Sequence, residues 1–85
     1  MGYVSAVAPA DGLMEYTRGY ARRLVQGPAV AIQLSKRLVY RSQEVDLDAA
    51  LEMAQQAMFI TQNTEDALEG PRAFMEKREA EFKGR

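Results

Sequence analysis

Leu47, Leu51, Ala54, Met58 and Thr61 recur at steps of four, three, four and three. That rhythm follows the 3.6-residue turn of an α-helix and fits no strand, whose side chains alternate at every residue. It is the cleanest periodic stretch of the chain, so the rest must fold around an amphipathic helix. Asp46 stands where an N-cap belongs, and Asp48 adds negative charge to the first turn, where the helix dipole favours it. The helix is expected to end near Gln62 or Asn63.

Two helices are expected before it. Leu13, Tyr16 or Thr17, Tyr20, Ala21 and Leu24 follow at helical spacing behind Asp11, a candidate N-cap, although Gly12 weakens the first turn. Gly27 then closes one helix and Pro28 opens the next, in the usual order of C-terminal glycine and N-terminal proline. The second helix is expected over residues 28–42, with Ala31, Leu34, Ser35 and Leu38 along one face. A polar link, Gln43-Glu44-Val45, leads to the central helix. Beyond it, Thr64-Glu65-Asp66 reads as a further helix start that Gly70-Pro71 interrupts. A last helix is expected from residue 71 to about 82, with Phe74, Arg78 and Phe82 on one face and Lys77 adjacent.

The opening residues 3–9 read as a short extended segment or lone strand ending at Pro9. A lone strand leaves its backbone groups unpaired, so it implies a partner outside this chain. The expected fold class is all-α: a small bundle of three main helices plus a short C-terminal helix, with an extended N-terminal lead. No internal repeat or low-complexity tract interrupts it.

Composition sharpens that picture. With 85 residues the chain makes one small domain, which buries a modest fraction of its surface. Apolar residues reach 47%, yet alanine and methionine supply much of the periodic faces. At roughly 25 cal/mol per Å² of apolar burial, such a core barely exceeds the ordering entropy. An apolar face should therefore remain, to be covered by another subunit or by the rest of a larger protein. There is no cysteine, which excludes disulfides, thiolate zinc sites and thiol nucleophiles. There is no histidine, which removes the commonest general base and transition-metal ligand. A self-contained enzyme is poorly supported, with only carboxylates and lysines left for proton transfer.

The net charge is -1, but the halves differ. Residues 1–42 carry six Arg/Lys against two acids, and residues 43–85 carry five against ten. The halves should attract each other, within the fold or between subunits. No stretch is long enough to span a bilayer, and no basic region precedes an apolar run at the start. A cytoplasmic protein with no membrane partner is expected.

Three clusters invite a functional reading. Glu65, Asp66 and Glu69 could form a paired-carboxylate or divalent-metal site, but their spacing matches no calcium loop and acids in a solvated first helical turn explain them better. No metal site is expected. Arg18, Arg22, Arg23, Lys36, Arg37 and Arg41 lie on two successive helices and could meet nucleic acid. The near-neutral charge, and the lack of interleaved aromatics on the second helix, favour solvated faces pairing with the acidic half. Phe74 and Lys77, with Arg78, place an aromatic plane beside cations, which can grip a nucleotide-like ligand by stacking and by phosphate pairing. The plainer reading puts Phe74 in the core and Lys77 on the surface. Gly70 lies in no phosphate-cradling motif and marks a turn.

The order of residues adds a resemblance. Gly2-Tyr3-Val4 with Val7-Ala8-Pro9-Ala10-Asp11-Gly12-Leu13 resembles the segment of the enoyl-CoA hydratase/isomerase (crotonase) family where a last short strand leads into the C-terminal helices. Gly27-Pro28-Ala29-Val30-Ala31-Ile32, followed by Ser35-Lys36-Arg37, is similar to the family's next stretch. Most specific is the tail: Thr64-Glu65-Asp66, Glu69-Gly70, Arg72-Ala73-Phe74, Glu76-Lys77-Arg78, Phe82 and Gly84-Arg85.

The resemblance covers essentially the whole chain and implies the following. In the family an N-terminal spiral of ββα units supplies the oxyanion-hole amides and the acid/base glutamates. The C-terminal helices cover the acyl-CoA pocket and build a trimer. Residues 1–85 would be that helical trimerisation domain, with the spiral domain absent, no catalytic residue of its own and no cofactor beyond the acyl-CoA substrate. The positions matched by Phe74 and Lys77 lie beside CoA bound to a neighbouring subunit, the lysine near its 3′-phosphate. Met1 falls just before the family's glycine, so the chain reads as a cloned fragment, a truncated gene product or an internal segment. The competing expectation is a free-standing helical self-association module without CoA binding.

Overall fold

The computed structural model describes residues 2–85. Four helices follow in order: α1 (Leu13–Val25), α2 (Ala29–Arg41), α3 (Leu47–Gln62) and α4 (Glu65–Met75). No strand occurs among the described residues, and the N-terminal lead runs without regular structure. The fold is all-α, as the periodicities predict.

Helix starts follow local chemistry where the sequence offers a good cap. The Asp46 carboxylate accepts from the Ala49 amide at 2.8 Å, and the Thr64 hydroxyl accepts from the Ala67 amide at 3.2 Å. Each satisfies one of the four amides a helix start leaves without a partner. Asp11 does not do so. Gly12 is the residue that caps α1, with no side-chain hydrogen bond. The Gly12 amide donates to Pro9 O at 3.0 Å, so a turn that begins at Pro9 leads into the helix, whose cap falls on Gly12, one residue beyond Asp11. Gly27 suits the tight junction between α1 and α2. A Cβ there would sit 2.7 Å from Ile32 Cδ1 and 3.2 Å from Leu24 O.

α2 and α3 form the one substantial helix pair. They run antiparallel: Val30 and Ala31 at the start of α2 line one cavity with Thr61 at the end of α3, and Leu38 lines another with Met53. Of the stripe of α3 that periodicity singles out, Thr61 lies beside α2, but its large apolar residues do not. Met53 and Ala57 face Leu34 and Leu38, whereas Leu47 remains 72% exposed and Leu51 and Met58 stay open. α3 is apolar around most of its circumference, so one helix partner covers only part of it.

The C-terminal third departs from the expected helix over residues 71–82. Thr64 caps a single helix that runs through Gly70 and Pro71 to Met75. Proline disfavours a helical residue before it largely through that residue's Cβ, and Gly70 has none. Gly70 therefore lies inside α4 and marks no turn. After Met75 the chain turns and extends, and residues 79–85 run back along α4 as a strap. Phe82 packs beside Gly70, and Gly84 comes close to Ala29 at the start of α2.

Burial is slight. Ala73 is the one fully buried apolar residue among those described, at 2% exposure, and Asp66 the one buried charged residue, at 5%. Leu13, Tyr16, Tyr20 and Leu24 of α1 are all exposed, as are Tyr3 and Val7 of the lead. The apolar face expected from composition is present and open.

Candidate functional site

The end of α4 carries both residues that the tail resemblance points to. Phe74 sits in the last turn and is 84% exposed, so it is not a core residue. Lys77 is exposed just beyond Glu76, the residue that ends the helix. Its φ is 54°, the only positive value at a non-glycine residue among those described. The hydrogen bonds define the turn. The Lys77 amide donates to Phe74 O at 3.2 Å, and the Arg78 amide donates to Ala73 O at 3.1 Å. This is a Schellman closure with lysine in the left-handed position where glycine is usual. Among the described residues, the Lys77 ammonium has no ion pair.

Arg78 braces this turn. Its two terminal guanidinium nitrogens donate to the two oxygens of Glu69, at 2.5 and 3.1 Å, and its Nε donates to Glu76 at 2.6 Å. Glu69 Oε1 also accepts from the Glu81 amide at 3.0 Å. The hydrogen bonds from Arg78, and then that from Glu81, hold the Glu69 carboxyl down at about 2. The Arg78 guanidinium is pushed further up by Glu69 and then Glu76. A two-pronged arginine–carboxylate grip fixes direction as well as contact.

Asp66 anchors the other end of the strap. Its two oxygens accept from the Lys83 and Gly84 amides at 2.7 and 2.8 Å, and its own amide donates to Arg85 O at 3.0 Å. Arg85 pairs with Glu65 at 3.3 Å. Of the acids read as solvated first-turn residues, Asp66 and Glu69 thus anchor the strap, and exposed Glu65 adds an ion pair to its last residue. Asp66 and Glu69 direct their oxygens at N–H donors, and no group of acids among the described residues could hold a metal ion. Sequence reasoning missed this role because the partners lie 9 to 18 residues away. Their only sequence signal is the pairing of acids in one turn with a basic, acid-flanked Arg78.

The cations of α1 and α2 are exposed. Arg23 lies over the Tyr20 ring at 5.2 Å, and Arg41 pairs with Glu44 at 3.7 Å. The expected attraction between basic and acidic halves is not realised within the chain: Arg41–Glu44, three residues apart, is the sole ion pair linking them among the described residues. The two helices that bear the cations are not substantially packed on each other, and the cations face solvent. No helix among the described residues is long and apolar enough to cross a membrane.

The chain is thus all-α, with open apolar faces and an exposed aromatic–lysine turn braced by Arg78 and Glu69. The profile of the Enoyl-CoA hydratase/isomerase family matches residues 1–85. The 2,3-dehydroadipyl-CoA hydratase of Escherichia coli is 39% identical over 84 residues, covering 99% of this chain and 33% of the relative. The short-chain-enoyl-CoA hydratase of Clostridium acetobutylicum is 35% identical over 86 residues, covering 100% of this chain and 33% of the relative. The crystal structure of an enoyl-CoA hydratase from Bacillus anthracis superposes with a TM-score of 0.89 at 34% identity, covering 99% of this chain and 33% of the other. The chain belongs to the enoyl-CoA hydratase/isomerase family. It spans about a third of the length of the curated relatives it matches.

Proposed function

We propose that these 85 residues serve as the C-terminal helical part of an enoyl-CoA hydratase/isomerase subunit. In this reading they join subunits into a homo-oligomer, a trimer as in the family, and cover part of the acyl-CoA pocket. Phe74 offers a face for the purine of CoA bound to a neighbouring subunit, and Lys77 offers its ammonium to the 3′-phosphate. The chemistry, addition of water to an enoyl thioester or a shift of its double bond, belongs to oxyanion-hole amides and glutamates outside these residues. No cofactor other than the acyl-CoA substrate takes part.

The observation that carries this reading is the turn at the end of α4. A large aromatic ring lies open to solvent, three residues before a lysine that has no ion pair among the described residues and that holds a backbone shape glycine would adopt more easily. The open faces of α1 and α3 support the oligomerisation half of the reading.

Titration with CoA tests the site. Lys77→Ala should weaken CoA binding about tenfold, the usual effect of losing one charge-assisted contact, and bring the affinity down to that for 3′-dephospho-CoA. An unchanged affinity would remove Lys77 from the site. A defined oligomer that shows no affinity for CoA would favour the free-standing self-association module. Crotonyl-CoA turnover by the chain alone is expected to be undetectable, and measurable hydration would overturn the assignment of catalysis elsewhere.

A further inference from the structure

Glu69 lies on α4 well before the turn that carries Lys77, yet its bonds converge on that turn. Its carboxylate takes both terminal nitrogens of Arg78, while Arg78 Nε holds Glu76. Glu76 and Arg78 are the two chain neighbours of Lys77. They are therefore tied to each other and, through Glu69, to the body of the helix. Arg78 also closes the turn with its own amide on Ala73 O. Lys77 sits between them in the left-handed region, which a lysine visits rarely when free. Phe74 needs no such support, because α4 itself places it. The strap adds a second tie to the same carboxylate through the Glu81 amide.

We propose that Glu69 is a positioning residue: through Arg78 it locks the left-handed turn at Lys77, and so aims the Lys77 ammonium alongside the Phe74 ring at the phosphate of CoA. This rests on the reading of Phe74 and Lys77 as CoA contacts. A lysine on a free chain end would spread its charge over many directions. A lysine on a fixed turn meets the phosphate with its ordering already done. Glu69 touches no ligand in this scheme and acts through the two residues that flank Lys77.

A double-mutant cycle on the 85-residue chain tests it, read by amide shifts during titration with CoA and with 3′-dephospho-CoA. Glu69→Gln keeps the side-chain shape and removes the charge that grips Arg78. It is expected to weaken CoA binding about tenfold, as losing a hydrogen bond to a charged group does, to leave 3′-dephospho-CoA nearly unchanged, and to speed exchange of the Arg78 amide. In a Lys77→Ala background the same change is expected to have no further effect on CoA affinity. Equal weakening of both ligands in both backgrounds would mean a loss of folded chain and would overturn the proposal. Arg78→Lys keeps the charge but loses the two-pronged grip, and should reproduce the selective loss even if Glu69→Gln does not fold. Unchanged CoA affinity in that variant also overturns the proposal. If Lys77→Ala alone leaves CoA affinity at its original value, the CoA reading falls and the positioning role with it. If Lys77→Ala weakens binding while Glu69→Gln is inert, the positioning role falls alone.

Discussion

Lys77 occupies a backbone position that helix ends usually give to glycine. A side chain at φ 54° brings its Cβ close to the following carbonyl, at a cost of about 1 kcal/mol. Lys77→Gly removes that contact and keeps the closure made by the Lys77 and Arg78 amides. It is expected to raise stability by up to about 1 kcal/mol, less what the freer unfolded chain takes back, measured by urea unfolding. The same variant lacks the ammonium, so it should lose CoA affinity while gaining stability, which separates ligand contact from folding. Glu69 gives a pH signature. Its carboxyl is held at about 2 in the folded chain against 4.5 when unperturbed. A depressed carboxyl stabilises the fold above the unperturbed value and stops doing so as acid protonates it. Its contribution should be complete above about pH 4.5 and fade down to about pH 2. Acid titration of thermal stability should show Glu69→Gln flattening that limb. At this scale Phe74 and Lys77 are proposed as a site from the order of residues in the tail, by resemblance to a family, and what the structure adds is their exposure at one turn. Their support was not legible in the sequence, because Glu69 and Arg78 are nine residues apart and no helical spacing rule joins them across a chain reversal.

Capping chemistry was the most legible feature at the scale of elements. Asp46 and Thr64 both occupy the places their residue types predict, and α3 ends at Gln62 as expected. Asp46→Ala should therefore destabilise α3 by about 1 kcal/mol, visible as a lower urea midpoint. Asp11→Ala, at a position that makes no cap bond, should leave the midpoint nearly unchanged. The C-terminal strap was misread for an instructive reason. Residues 76–83 are mostly good helix formers, and isolated propensity favours continuing α4. The helix stops instead because amides of the strap find better acceptors. Glu81 bonds to Glu69, and Lys83 and Gly84 bond to Asp66, each a charged oxygen. Those acceptors exist only once α4 has formed, so no window of sequence around residues 76–85 contains the information. The Gly70-Pro71 pair misleads in the opposite direction, since its local breaking signal yields to a helix that the strap covers through Phe82.

At the scale of the whole molecule, four helices have been assembled with almost nothing inside them. The radius of gyration is 16.2 Å, whereas a compact chain of this length would have about 12 Å. The extents of 45 × 38 × 19 Å describe a spread, thin body with one buried apolar side chain among the described residues. Composition foreshadowed this, because alanine-rich faces bring helices close while burying little area. It could not say which faces would remain open, since α3 offers two apolar stripes and the choice of Met53 and Ala57 for α2 is made by packing. Such a body gains too little from its own core to outweigh the ordering of 85 residues, so its helices should depend on what covers them. A second copy supplies cover by mass action, and stability then rises with concentration. The isolated chain is thus expected to show a mass above 9.5 kDa by light scattering and a melting temperature that climbs between micromolar and millimolar concentration. Charge should modulate this, because the exposed cations of α1 and α2 have, among the described residues, no acidic ion-pair partner apart from Glu44 and can meet the acidic half of a neighbour. Added salt would then lower the melting temperature most at low concentration, where association is weakest. A single-chain mass at every concentration, with a sharp and concentration-independent melt, would show instead that the strap and the α2–α3 pair hold the fold unaided.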